Sequence, residues 1–286
     1  MSTPPSTPGT PPASPSEAPQ GLGLGMFLGV YTPTVLTILG VILYLRMGWV
    51  VGNAGIGGAL LIVLLANSIT AITAFSLSAL STNMRVGVGG AYYIISRSLG
   101  LELGGALGIP LYLSQALSVT LYAYGLAESL RLIWPGVPVQ LMAAVIVVLV
   151  VFVASRSTVL ALKMQLPIMA FIFLSLAALV FGIDFEGPRI ALQGEWPDAS
   201  FWQVFAVFFP AVTGVLAGVG LSGDLKDPGR SIPMGVGLAV FTGFVVYMAA
   251  PWVLGFAANA DGLRNNELLW TQVAMGGAWF VMPGLW

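Results

Sequence analysis

Charge-free stretches recur along the chain at 18–45, 47–84, 103–127, 132–155, 164–183, 199–223, 231–260 and 268–286. A helix rises 1.5 Å per residue, so about twenty such residues cross the hydrocarbon layer of a bilayer. The run 47–84 is too long for one crossing, and Gly52-Asn53-Ala54-Gly55-Ile56-Gly57-Gly58 supplies a turn inside it. The pattern predicts spans at 27–51, 56–80, 103–131, 138–155, 158–182, 201–223 and 232–258, with an eighth begun at 270–286. No polar tail follows Trp286, so the membrane domain 26–286 is expected to be incomplete.

Two segments fall outside the spans. Residues 1–25 are rich in proline, serine, threonine and glycine, with Glu17 as the one charge. Such a composition buries too little apolar surface to fold, which predicts a disordered cytoplasmic tail. It lacks the basic start and apolar core of a secretory signal. Residues 83–102 are too short and too polar to cross; Ala91–Leu99 reads as a short helix at the inner interface, with Tyr92 and Tyr93 at headgroup depth.

Two spans carry the wrong residues for a plain helix. Pro33-Thr34-Val35-Leu36-Thr37-Ile38-Leu39-Gly40-Val41-Ile42-Leu43 and Phe208-Phe209-Pro210-Ala211-Val212-Thr213-Gly214-Val215-Leu216-Ala217-Gly218 share a recipe of proline, threonine, then glycine. Proline removes a backbone donor and glycine leaves helical geometry cheaply. In hydrocarbon each freed group needs a partner, so broken helices survive where they line a cavity or meet a ligand. Two interrupted spans in corresponding places point to a transporter's binding site. At each break carbonyl ends suit a cation, while the amides starting the next half suit an anion. The competing reading is close helix packing, as at Gly104/Gly108 and Gly214/Gly218.

Composition narrows the field. The 286 residues are 57% hydrophobic and 7% charged, against about 25% charged in soluble domains. Unbroken apolar runs exclude a barrel. A net charge of −1 offers no basic surface for nucleic acid. Without cysteine or histidine, thiol nucleophiles, thiolate and imidazole metal sites and the commonest general base are absent, and no cofactor is expected. With a cytoplasmic N-terminus, inner loops hold Arg85, Arg97, Arg156, Lys163, Lys226 and Arg230, and outer loops Arg131, Arg189 and Arg264, in keeping with the positive-inside rule. The outer segment 183–200 is acidic.

Arg46 late in span 1 and Glu128 late in span 3 stand near the outer end, where pairing would make a gate and snorkelling is the alternative. Tyr122 and Tyr124 point in different directions on a helix, so at most one faces a site. Gly218-Val219-Gly220-Leu221-Ser222-Gly223 matches a dinucleotide fingerprint but follows no strand, and is set aside. Asp224–Arg230 reads as a solvated inner turn or a cytoplasmic gate contact.

Four collinear stretches, 39–56, 89–100, 208–218 and 222–228, resemble the cation-chloride cotransporters of the amino acid–polyamine–organocation superfamily. The resemblance covers about residues 28–258. It implies an all-α, leucine-transporter-like fold of inverted repeats with spans 1 and 6 unwound, here ending after about seven spans. It also implies electroneutral movement of chloride with potassium, sodium or both. By this resemblance potassium would meet the Thr37 and Ile38 carbonyls, the Tyr122 hydroxyl, the Pro210 carbonyl and the Thr213 hydroxyl. Chloride would meet the amides of Gly40, Val41 and Ile42, and a second chloride those of Gly214, Val215 and Leu216. Arg46 and Glu128 match the family's outer gate pair. Thr37 stands where the family usually has asparagine, and the family's sodium site draws on span 8, so sodium coupling stays open.

The function expected is symport of chloride with potassium by alternating access in the cell membrane; neutral oxygens from two broken ends and a phenol suit a large, weakly hydrated ion. The alternatives are an amino acid carrier of the same superfamily and a non-transporting fragment. An enzyme is not expected, because Glu128 has no acid–base partner in the membrane. Expected partners are the lipid bilayer and inorganic ions, and a homodimer is compatible with the sequence.

Overall fold

The computed structural model describes residues 22–84, 86–131, 134–156, 158–187 and 189–285. Residues 1–21 of the expected tail, and Arg85 among the inner basic residues, lie outside the described residues. Leu22–Gly25 do not behave as tail. Leu24 forms a parallel bridge with Leu225: its N–H donates to the Asp224 carbonyl at 2.8 Å and its carbonyl accepts from Lys226 N at 3.0 Å. The inner loop offers unpaired backbone groups at that point, and the four residues before the first span satisfy them.

A π-turn at Phe27–Tyr31 runs into helix α1, Thr32–Ile38. Helical geometry stops at Leu39 (φ −90°, ψ 35°), and Gly40 is extended (φ −83°, ψ −160°). Helix α2 then runs from Val41 to Asn83 with Gly55 non-helical inside it (φ 68°, ψ 177°). The chain reverses there. Tyr247 Oη lies 2.7 Å from the Ile38 carbonyl and 3.5 Å from that of Ala211, and Thr70 Oγ1 donates to the next carbonyl, Val212, at 3.1 Å. An unbroken helix would hold residues 38 and 70 about 48 Å apart, so both reach 211–212 only if the two halves are antiparallel.

A turn at the membrane edge frees backbone groups that must be paired. The acidic segment before span 6 pairs them. Ile56 and Gly57 donate to the carbonyls of Ala191 and Leu192 at 3.3 and 2.7 Å. Gly194 and Trp196 donate to Ala54 and Asn53 at 3.0 and 3.2 Å.

Helix α3 (Gly90–Leu99) is short, and Gly100 at φ 97° turns the chain directly into α4 (Leu101–Leu130). Helices α5 (Val139–Arg156) and α6 (Thr158–Phe181) follow. Span 6 then opens as α7 (Phe201–Phe208), tightens to a 3₁₀ turn at Phe209–Val212, breaks at Thr213-Gly214, and resumes as α8 (Leu216–Gly220). Helix α9 (Pro228–Ala257) is span 7, its start capped by Asp227 accepting from Arg230 N.

Six of the described helices are long and apolar enough to cross a membrane, and the first, Phe27–Asn83, holds two crossings about Gly55. The protein is an all-helical, multi-pass membrane protein. Its core lies among spans 1, 2, 6 and 7, where Val30, Leu43, Phe208, Ile232 and Tyr247 are fully buried. Helices α4, α5 and α6 instead present apolar side chains outward, such as Ile109, Val148 and Phe181.

The eighth span differs from expectation. The segment 270–286 is not one helix: α11 (Leu269–Val273) stops, Gly276 and Gly277 take φ of 77° and 58°, and α12 (Ala278–Leu285) restarts. Left-handed residues cannot propagate a right-handed helix. Before them the short α10 (Ala260–Asn265) and α11 pack over the outer end of span 1, since Arg264 donates to the Gly52 carbonyl and the Trp270 ring tilts against Tyr44. Helix α12 lies antiparallel to α6: Met275 N donates to Ala178 O, and Gly284 abuts Phe171 and Ser175.

Candidate functional site

The two breaks meet. Span 6 crosses span 1 in the opposite sense, as three close approaches show. A Cβ added at Gly214 would lie 2.7 Å from Thr37 Cγ2, and one at Gly218 would lie 2.5 Å from the Val30 carbonyl. Farther inward, Leu225 pairs with Leu24. Span 7 runs alongside in the same sense as span 1, with Gly235 against Val30 and Gly243 against Ile38. Small residues at each crossing let the backbones approach and bring the broken ends to one depth.

The potassium candidates divide into linked groups. The Tyr122 hydroxyl stands 3.5 Å from the Thr37 carbonyl, and the Thr213 hydroxyl donates to the Pro210 carbonyl at 2.7 Å. Thr213 and Pro210 are both exposed residues. Thr37 contributes backbone alone: its hydroxyl turns back to the Pro33 carbonyl at 2.8 Å. The Ile38 carbonyl already accepts from Tyr247 at 2.7 Å. Tyr124 points elsewhere and is largely exposed.

The chloride candidates start the resumed helices. Gly40, Val41 and Ile42 begin α2, and Gly214, Val215 and Leu216 begin α8. First-turn amides have no intrahelical acceptor, so these two triplets are the natural donors of the site. Leu43 and Ala217 begin the internal bonding, donating to Gly40 and Gly214 at 3.1 and 3.0 Å. A cavity of about 580 Å³ opens beside the first break, bordered by Thr37, Gly40, Val41 and Tyr122. A second, of about 220 Å³, meets Leu216 between α3, α4 and α8. Ala217 borders both.

The expected gate pair does not form in this structure. Arg46 Nη1 binds Glu267 Oε1 at 2.5 Å, and no ion pair joins Arg46 to Glu128 among the described residues. Glu267 lies in the turn between α10 and α11, which swings over the end of span 1 and reaches Arg46 first. Glu128 borders the same cavity of about 460 Å³ as Glu267 and Arg264. Both partners of the observed pair are more than 40% exposed, where an ion pair contributes little. Glu267→Gln is therefore expected to change stability by less than about 1 kcal/mol, read as the detergent melting temperature.

Four participants escaped the sequence reading. Tyr247 is a lone mid-span tyrosine, and Thr70 is one of many membrane threonines that usually bond their own helix. Glu267 sits in an outer loop with no motif. Gln165, in α6, borders the larger cavity with its side-chain oxygen buried and unpartnered among the described residues. The signal for Tyr247 and Gln165 was polarity at mid-span, and nothing local told a site from an interface anchor. The discarded fingerprint is structural: Ser222 Oγ accepts from Gly90 N and donates to the Gly87 carbonyl, tying the inner loop to α3.

The sequence model of the family described as Amino acid permease matches residues 29–269. Solute carrier family 12 member 2 of Mus musculus is 35% identical over 265 residues, covering 84% of this chain and 22% of that protein. Member 1 of Homo sapiens is 35% identical over 263 residues, covering 81% and 23%. Member 3 of Homo sapiens is 33% identical over 263 residues, covering 82% and 26%. The chain thus spans about a quarter of the length of these curated relatives. These relatives are carriers rather than enzymes. The chain belongs to the amino acid permease family and, within it, groups with the solute carrier family 12 proteins, the cation-chloride cotransporters that its motifs resemble.

Proposed function

We propose that this chain forms the ion-binding part of a secondary transporter that moves chloride together with potassium by alternating access, in the cell membrane and with its N-terminus cytoplasmic. The observation that supports it most is the meeting of two broken helices whose carbonyl ends and amide starts face one another. Among the described residues no charged side chain borders the cavity beside the first break. Peptide dipoles, two hydroxyls and the Gln165 amide are left to hold the cargo. A cation near the carbonyl ends and an anion at the amides screen each other, which couples their binding, and one of each moving together carries no net charge. Potassium fits because Thr37, Ile38, Tyr122, Pro210 and Thr213 offer neutral oxygens only. Arg46 and Glu128 act at the outer mouth, with Glu267 as the partner Arg46 holds when the two part. No cofactor enters the reading.

The test is chloride-dependent rubidium uptake by the full-length parent protein. Removing one hydroxyl ligand to a charged group costs about 1.5–3 kcal/mol, so Thr213→Ala and Tyr122→Phe should each weaken uptake about tenfold or more at low rubidium. Wild-type uptake in both variants would remove the site assignment. The matching family description favours one second reading, an amino acid carrier whose substrate carboxylate sits on the Gly40–Ile42 amides. Free amino acids competing with chloride would favour it.

A further inference from the structure

We propose that Tyr247 is the positioning residue that holds the Ile38 carbonyl in place and so tunes which cation the site accepts; this rests on the ion-binding reading above. In an unbroken span 1 the Ile38 carbonyl would accept from the amide four residues on, and in an unbroken span 6 so would the Ala211 carbonyl. Both bonds are lost at the breaks. Tyr247 stands between the two orphaned carbonyls, donating to Ile38 O at 2.7 Å with Ala211 O at 3.5 Å. A phenol has one proton, so the short contact is the bond, and Ala211 is the neighbour to which it can turn.

The tyrosine has no room to move. It is fully buried, and its ring meets Phe208 edge-on at 5.2 Å, from the helix that leads into the second break. One turn earlier Gly243 lets α9 press on Ile38, where a Cβ would come within 2.5 Å of the isoleucine side chain. Helix α9 is continuous from Pro228 to Ala257. A carbonyl tethered to an unbroken helix has less freedom to close around a smaller ion than one on a free helix end. The tether also satisfies Ile38 when the site is empty, a state in which an orphan carbonyl would otherwise cost about 1–3 kcal/mol. Tyr247 is therefore distinct from Tyr122: the latter meets the cation, the former holds one of its ligands in place.

The experiment compares the full-length parent with Tyr247→Phe, which keeps the ring and removes the hydroxyl. Expected is a rise of about fivefold or more in the rubidium KM, larger than any fall in maximal rate, together with stronger competition by sodium. A merely structural role would lower the amount of protein and the maximal rate without moving KM or ion preference. As a second readout, rubidium should raise the melting temperature of the purified parent more than that of the variant. Unchanged KM, unchanged sodium competition and equal rubidium protection would overturn the inference while leaving parental transport standing. A parent that shows no chloride-dependent rubidium uptake would overturn the ion reading and this inference with it.

Discussion

Alanine at position 214 should cut chloride-dependent rubidium uptake about ten- to a hundredfold while the protein still reaches the membrane. Gly214 has φ 131°, a backbone region that residues with a Cβ rarely adopt. The added carbon would also lie 2.7 Å from Thr37 Cγ2. Relief needs the peptide to rotate or the two breaks to separate. Rotation turns the amides of Gly214, Val215 and Leu216 away from their shared focus; separation pulls the Thr37 carbonyl from the Thr213 side of the site. Either way a charge-assisted contact is lost, at about 1.5–3 kcal/mol. The chloride dependence should suffer most, because the amides are the direct casualties. Wild-type chloride dependence in Gly214→Ala would show that the second break holds no anion.

Valine at position 218 should act on the fold rather than on the ions. Gly218 is buried where the inner halves of spans 1 and 6 cross, and a Cβ there would lie 2.5 Å from the Val30 carbonyl and 2.7 Å from Thr34 Oγ1. The obstacle is partly backbone, which cannot step aside as a side-chain tip can. Overpacking costs about 1–3 kcal/mol even where side chains can rearrange, so Gly218→Val should sit at or beyond the top of that range. It should lower the detergent melting temperature and the monodisperse fraction. Gly220 is the control, since nothing among the described residues lies within 4 Å of a Cβ there. Gly220→Ala should stay within about 0.5 kcal/mol of the parent. Equal melting of Gly218→Val and the parent would mean that the two inner halves do not cross this closely.

The contrast between these glycines separates what local pattern carries from what it does not. Proline, threonine and glycine marked both breaks because their effect on a helix is local: a missing donor, or freedom to leave φ near −60°. The turn at Gly52–Gly58 was legible for the same reason, and Gly55 is where the chain reverses. Yet Gly214, Gly218 and Gly220 look alike in sequence. One turns a broken helix, one admits a neighbouring backbone, and one faces open space.

Partner choice was the least legible part. Arg46 and Glu128 stand at one depth in their spans, but depth does not decide which carboxylate swings nearest. The turn carrying Glu267 lies 221 residues from Arg46 and takes the pair. Thr70, Tyr247 and Leu24 likewise find partners 142, 209 and about two hundred residues away.

By itself the sequence determined that the protein crosses a bilayer several times and which two of its apolar stretches cannot stay helical. These follow from transfer of apolar residues into hydrocarbon and from backbone preferences, both set residue by residue. Only the tertiary structure decided that the two breaks lie against each other, that Tyr247 and Thr70 take up their freed carbonyls, and that residues 22–25 close on the inner loop. Those outcomes depend on which freed backbone groups come within hydrogen-bonding reach, and in a membrane without water to satisfy them, that proximity selects the partner.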